Sequence, residues 1–316
     1  MARPCGCTGG DRIGPTDVAT LSPPDQSEVP VADPTTVVFL HAHPDDEAIF
    51  TGGTMRLLAD RGVRVVLVLA TLGEQGRADE VGRFELGARR EAETRAAAEV
   101  LGIAAVHTLG YADSGVDLAD APDVAFATAA PADAAARLAT ILRHERADAL
   151  VGYDDTGIYG HPDHVQVHVV GVRGAQLAGV ATRYDATVDR EYLHFVETHL
   201  VEEAGQSVVV PVGPLDAADA PFAPSLVTPP DHAAGGRNSL GLAATALGLP
   251  SVLIDHTVDV RSVIDVKRRA MLAHASQIPA SSSAMRLAPA AFAEVYGYEW
   301  FARVGPPGPL DDLPHA

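Results

Sequence analysis

Cysteine is nearly missing from this chain: Cys5 and Cys7 are the only two among 316 residues. A disulfide framework is thereby excluded, and two thiols on a Gly-rich stretch make half a metal site at best. Aromatic residues are scarce, 5% with a single tryptophan, so the core must be built from aliphatic side chains. Cations are outnumbered, 23 Lys and Arg against 42 Asp and Glu, for a formal net charge of −19. That balance argues against nucleic acid, which needs clustered cations, and against an anionic membrane surface. It leaves room for an anionic small molecule, since one local arginine outweighs a distant field at short range. No apolar run approaches the length of a membrane helix, and the N-terminus lacks the apolar core of a signal peptide. The expected compartment is the cytoplasm.

What is present is a globular composition, 47% hydrophobic and 21% charged, with enough apolar material for a sizeable core. Residues 1–33 carry Gly, Pro, Ser, Thr and Asp without periodicity and are expected to be a disordered tail. From Thr35 the texture changes. Apolar runs at 36–40, 63–69, 104–109 and 147–151 read as strands covered on both faces. Helical patterns at 48–61, 86–101, 132–145 and 162–178 separate or follow them. This alternation predicts an α/β fold: a Rossmann-like, mostly parallel sheet with helices on both faces. A single domain is expected over 34–304, with a core at 34–180, a smaller C-terminal part at 181–304 that covers the active site, and a tail at 305–316. In that part, 183–187 reads as a strand, 189–204 as a helix and 205–250 as a long excursion holding a short helix at 240–247. Segments 251–254 and 257–260 read as β, 263–277 as helix, and 290–301 as a last mixed element.

In doubly wound sheets ligands sit at the carboxyl ends of the strands. Four polar segments fall there: 41–47, 73–76, 111–115 and 154–164. Two of them contain His-Pro-Asp. His43 and Asp46 are three apart, as are His161 and His164, and positions i and i+3 share a face of a helix or tight turn. Two such pairs at neighbouring strand ends can meet around one ion. Imidazole with carboxylate suits zinc at a catalytic site with an open place for water, and the same set accepts iron(II) or another divalent transition metal. Asp45 and Glu47 then need other work; a carboxylate beside the metal can take a proton from water. His168, four beyond His164, is an alternative ligand but reads first as a packing residue. His41 and Glu47 read as supports, and His274 as packing or pocket lining.

These segments resemble the PIG-L/LmbE-like family of zinc-dependent N-deacetylases. His43-Pro44-Asp45-Asp46-Glu47 and Gly160-His161-Pro162-Asp163-His164 carry the resemblance. Thr71 to Gly76, Arg89-Arg90-Glu91, Asp113-Ser114-Gly115 and Lys267 through His274 to Gln277 extend it. It implies that His43, Asp46 and His164 bind zinc and that Asp45 is the general base. It implies that His161 stabilises the oxyanion or protonates the leaving amine, with Asp163 orienting it, and that Tyr159 helps polarise the carbonyl. Arg90 and Asp113 would contact the substrate. The implied reaction is hydrolysis of the acetamide of an N-acetylglucosamine-type sugar or glycoconjugate. The alternatives are an amidase of a larger acyl-glucosamine, of the thiol-conjugate type, and a catalytically silent sugar-binding protein.

Overall fold

The structure, a computed structural model, describes residues 1–2, 35–77, 82–196 and 247–316. Residues 3–33 of the tail expected at 1–33, 197–204 of the helix expected at 189–204, 205–246 of the excursion expected at 205–250 and most of the short helix expected at 240–247 lie outside the described residues.

Five parallel strands carry the fold: β1 (Thr36–His41), β2 (Arg64–Leu69), β3 (Ala105–Thr108), β4 (Ala149–Tyr153) and β5 (Thr182–Thr187). All six residues of β1 are buried, because β1 is central and covered on both faces. Its neighbours are held in register, Val37 opposite Val65 on one side and Ala149 on the other. Burying each such Val or Leu stabilises the fold by about 1.5–3 kcal/mol. β3, by contrast, alternates half-buried and exposed residues, as a strand at the sheet edge does.

Two further strands, β6 (His256–Asp259) and β7 (Tyr298–Val304), extend the sheet antiparallel, giving seven strands in the order β3-β2-β1-β4-β5-β7-β6. Strand order reverses between β1 and β4, so their carboxyl ends form the switch-point crevice.

The helices are α1 (Asp46–Phe50), α2 (Gly52–Asp60), α3 (Arg83–Leu101), α4 (Pro131–His144), α5 (Gly157–Gly160), α6 (Pro162–Ala178), α7 (Arg190–Val196), α8 (Ile264–Ala273), α9 (Ser283–Arg286) and α10 (Pro289–Tyr296). α3 stops at Gly102, whose φ of 79° places it in the left-handed region, where a glycine C-cap suits best. Among the described residues no helix is long and apolar enough to cross a membrane.

Three expectations are corrected. The single helix expected over 48–61 breaks at Thr51, which has φ −138°, and the chain restarts as α2. The break lets the backbone pass close to Val260: a Cβ on Gly53 would lie 2.4 Å from the Val260 Cβ. It also frees the Gly53 and Thr54 amides, which donate to the buried Glu299 carboxylate at 2.8 Å each. The strand expected at 251–254 is instead a 3-10 turn over Ser251–Leu253, entered from Pro250. Finally, 305–316 does not trail free: Leu310 and Leu313 are buried, and the Asp259 amide donates to the Pro314 carbonyl at 2.9 Å. The mixed segment at 290–301 resolves into α10 and β7.

Candidate metal centre

β1 delivers the first His-Pro-Asp turn and β4, through α5, delivers the second, so the switch point brings the two together. In the first turn the His43 amide donates to Asp46 Oδ2 at 2.9 Å, which turns the Asp46 carboxylate back towards His43. In the second, Pro162 occupies the first turn of α6, where its missing N–H costs nothing, and His164 follows on the buried side. The approach to that turn is tight. Gly157, at φ 65°, lies where a Cβ would stand 2.5 Å from the Val165 amide nitrogen. Ile158, at φ 67°, is a β-branched residue held in a strained conformation of the kind that gathers at functional sites.

His43, Asp46 and His164, all buried, each offer a ligand atom within 4.8 Å of the others'. Asp46 Oδ2 lies 3.5 Å from His43 Nδ1 and 3.2 Å from His164 Nε2. Bonds of the length zinc makes to nitrogen and oxygen place ligands of a tetrahedral site about 3.3 Å apart, so the donor set fits a divalent ion. The opposite nitrogen of His43, Nε2, faces two carboxylates, Asp163 Oδ2 at 3.2 Å and Asp113 Oδ1 at 3.5 Å. Carboxylates at that position fix the orientation of a ligating imidazole. Tyr153, at the end of β4, stacks on the His164 ring with centroids 4.6 Å apart, and the Tyr159 hydroxyl lies 3.1 Å from His164 Nε2.

The electrostatics follow from burial and charge. Burial opposes protonation of His43, but the carboxylates of Asp113, Asp163 and Asp46 outweigh it and hold the ring well above its ordinary range. Burial likewise opposes ionisation of Asp46, and His164 and His43 outweigh it, holding the carboxyl well below. Asp45 differs. Burial pushes it up to about 6, against the pull of Arg90 and with Asp46 adding to the rise. Burial, then His43 and His164, push His161 down to about 3, and burial holds the Tyr159 phenol well above its usual range.

A cavity of about 480 Å³ opens on this centre. His43, Asp45, Asp46, Arg90, Asp113, Tyr159 and His161 line it, while His164 and Asp163, each 0% exposed, stand behind. The Asp163 carboxylate makes no hydrogen bond to His161, though its charge favours protonation of that ring. That carboxylate accepts from the Ser114 hydroxyl at 2.5 Å and the Ser114 amide at 3.0 Å, besides facing His43. Only the Asp163 amide meets His161, donating to Nδ1 at 3.1 Å. Arg90 reaches the cavity wall but spends its guanidinium on the Gly73 carbonyl at 2.8 Å, the Pro44 carbonyl and Asp45 Oδ2 at 3.2 Å. Asp113 similarly accepts from the Gln75 and Gly115 amides at 3.1 and 2.9 Å. His41 is a support, bonded to Tyr153 and Thr51 at 2.8 Å each, and His168 bonds the Tyr153 carbonyl at 2.9 Å, away from the metal group. Sequence reasoning passed over Ser114 and Tyr153. Ser114 sat beside Asp113 in a polar strand-end segment, and Tyr153 was a hydroxyl-bearing residue closing an apolar strand; both were visible signals.

A profile of the PIG-L family, described as GlcNAc-PI de-N-acetylase, matches residues 38–174. The 1D-myo-inositol 2-acetamido-2-deoxy-alpha-D-glucopyranoside deacetylase of Salinispora arenicola is 35% identical, over 93% of this chain and 89% of its own. The protein of the same name from Acidothermus cellulolyticus is 33% identical, over 84% and 87%. Among solved structures, the N,N'-diacetylchitobiose deacetylase of Pyrococcus horikoshii shares the fold with a TM-score of 0.52, 23% identity, and coverage of 86% of this chain and 85% of its own. The chain belongs to the PIG-L family of deacetylases, hydrolases of amide C–N bonds.

Proposed function

We propose that this chain is a zinc-dependent N-deacetylase that releases acetate from an N-acetylglucosamine-type sugar or glycoconjugate. The observation that carries the reading is the spacing of His43, Asp46 and His164 at one ion's reach, with Asp45 on the cavity wall beside them. The relatives are named for a 2-acetamido sugar, which supports a substrate of that class, and the cavity opens directly on the candidate ligands. Zinc held by the three residues would supply a Lewis acid and acidify water to a pKa of about 7.

The chain's own groups supply the rest. Asp45, raised to about 6, accepts a proton as water attacks the acetamide carbon; its range is matched to a base that must also give the proton back. Tyr159, kept as the phenol by burial, donates to the oxygen that gains negative charge. His161 accepts from the Asp163 amide at Nδ1, so the neutral ring carries its proton on Nε2 and serves as a second donor. The C–N bond breaks as Asp45 returns its proton to the nitrogen, leaving acetate and a free amine. Asp113 and Asp163 hold His43 from behind. Arg90 acts mainly on Asp45 and its loop, and touches substrate only through the cavity wall.

The test is incubation of zinc-loaded protein with a series of N-acetylated glucosaminides, reading acetate and free amine. Equal release of both, abolished by a chelator and restored by zinc, is expected. One zinc per chain with no hydrolysis across the series would overturn the reading in favour of a silent sugar-binding protein.

A further inference from the structure

Resting on the deacetylase reading above, we infer that Glu47 and His274 are positioning residues that together hold the general base, Asp45, in its working geometry. Asp45 has φ 104° and ψ −31°, a conformation that a residue with a side chain keeps only when its surroundings impose it. The Asp45 side chain stands on the cavity wall. One group grips the twisted peptide from within: the Asp45 amide donates to Glu47 Oε2 at 2.9 Å. The other oxygen, Oε1, meets His274 Nε2 at 2.5 Å. Both side chains are 0% exposed.

The clamp joins distant parts of the chain. Glu47 lies in α1 and His274 caps the end of α8, 227 residues away. A carboxylate buried this deeply stays ionised and fixed only when its remaining lone pairs are met. His274 meets them, so Glu47 has one orientation, and that orientation presents an acceptor to the Asp45 amide. The carboxylate of Glu47 is bonded to neither imidazole of the metal group; its partners are the Asp45 amide and His274. A loosened base is therefore the specific consequence of losing the clamp, because misplacing a reacting group by about 1 Å costs on the order of a hundredfold in rate.

The experiment compares Glu47→Ala with Glu47→Gln in the full-length, zinc-loaded protein, reading kcat, KM and metal content. Glutamine can keep an oxygen on the Asp45 amide while its NH2 faces His274. The imidazole accepts there by carrying its proton on Nδ1, an atom that has no hydrogen-bond partner. Alanine leaves the amide unheld. In Glu47→Ala, kcat is expected to fall about ten- to a hundredfold with KM and zinc content unchanged, and Glu47→Gln to recover most of it. If Glu47→Ala does not fold, the double variant Glu47→Met/His274→Leu replaces the buried pair with apolar groups of similar volume and still removes the acceptor, so the same loss of kcat is expected. Wild-type kcat in the alanine or double variant, equal losses in alanine and glutamine, or a loss that tracks zinc content would each overturn the inference. Wild-type protein that releases no acetate overturns the deacetylase reading itself; active wild-type protein beside an equally active Glu47→Ala overturns the clamp alone.

Discussion

The two His-Pro-Asp turns have the same three residues and are used differently. After β1 the chain twists at Asp45, and that aspartate looks into the cavity while His43 joins the metal group. After β4 and α5 the second turn leads straight into α6: the Val165 amide donates to the His161 carbonyl at 3.0 Å, and Asp163 is fully buried against Ser114 and His43. In both, the residue three beyond the histidine belongs to the group that could hold a metal ion, Asp46 in one and His164 in the other. The difference lies in what holds each turn. A regular 17-residue helix holds the second, and its own backbone hydrogen bonds suffice. The first opens a helix of only 5 residues, and it is held by Glu47 of that helix and, from outside it, by Arg90 and His274. A motif thus fixes which residue types are at hand, while the local backbone decides which of them reaches the reaction.

The largest effect is expected where the turns agree. Asp46→Ala or His164→Ala should each lose bound zinc, read by elemental analysis, and with it turnover down to background. Full metal occupancy in either variant would remove that residue from the ligand set. The next effect separates the turns. Asp45→Asn should keep zinc and lower kcat by about 10²- to 10⁴-fold, the contribution of a positioned base. Zinc retention with unchanged kcat would mean that the twist at Asp45 serves something other than proton transfer.

Much of this comparison was legible beforehand, for definite reasons. β1, β2 and β4 are buried on both faces, so their apolar runs were unbroken and their ends easily placed. The i, i+3 pairs survive folding because both a tight turn and a helix bring such positions together. Less local facts were hidden. The bend at Thr51 depends on Val260 and Glu299, more than 200 residues away, and no window of sequence contains that contact. Asp163, read with the neighbouring His161, also reaches across the crevice to His43, 120 residues earlier. Glu47 was read as a support, and what it holds is the backbone of Asp45. In each case the partner was set by tertiary packing.

A smaller effect follows from the reach of Asp163 to His43. Asp163→Asn keeps an acceptor for Ser114 but weakens the group behind His43, so zinc affinity or turnover should fall about 10- to 100-fold, the usual cost of disturbing a ligand's outer partner. Competition with a chelator measures it. A loss as deep as that of Asp45→Asn would show that the two aspartates share one role after all.

The smallest effect concerns the pH at which the first turn works. In the proposed role Asp45 must be ionised to accept a proton, so activity falls as pH drops through its pKa, which burial raises against the pull of Arg90. Arg90 lies 3.2 Å from Asp45 Oδ2, and its charge favours the ionised form. Arg90→Gln removes that charge and still offers an amide to the Gly73 or Pro44 carbonyl. The acid limb of kcat/KM should therefore move to higher pH, and the deficit relative to wild type should shrink as pH rises above the shifted limb. A bound cation favours the carboxylate in both proteins, lowering the two limbs together without reversing their order. An acid limb that stays in place, with a uniform loss at every pH, would instead assign Arg90 to substrate contact, as the sequence alone had suggested.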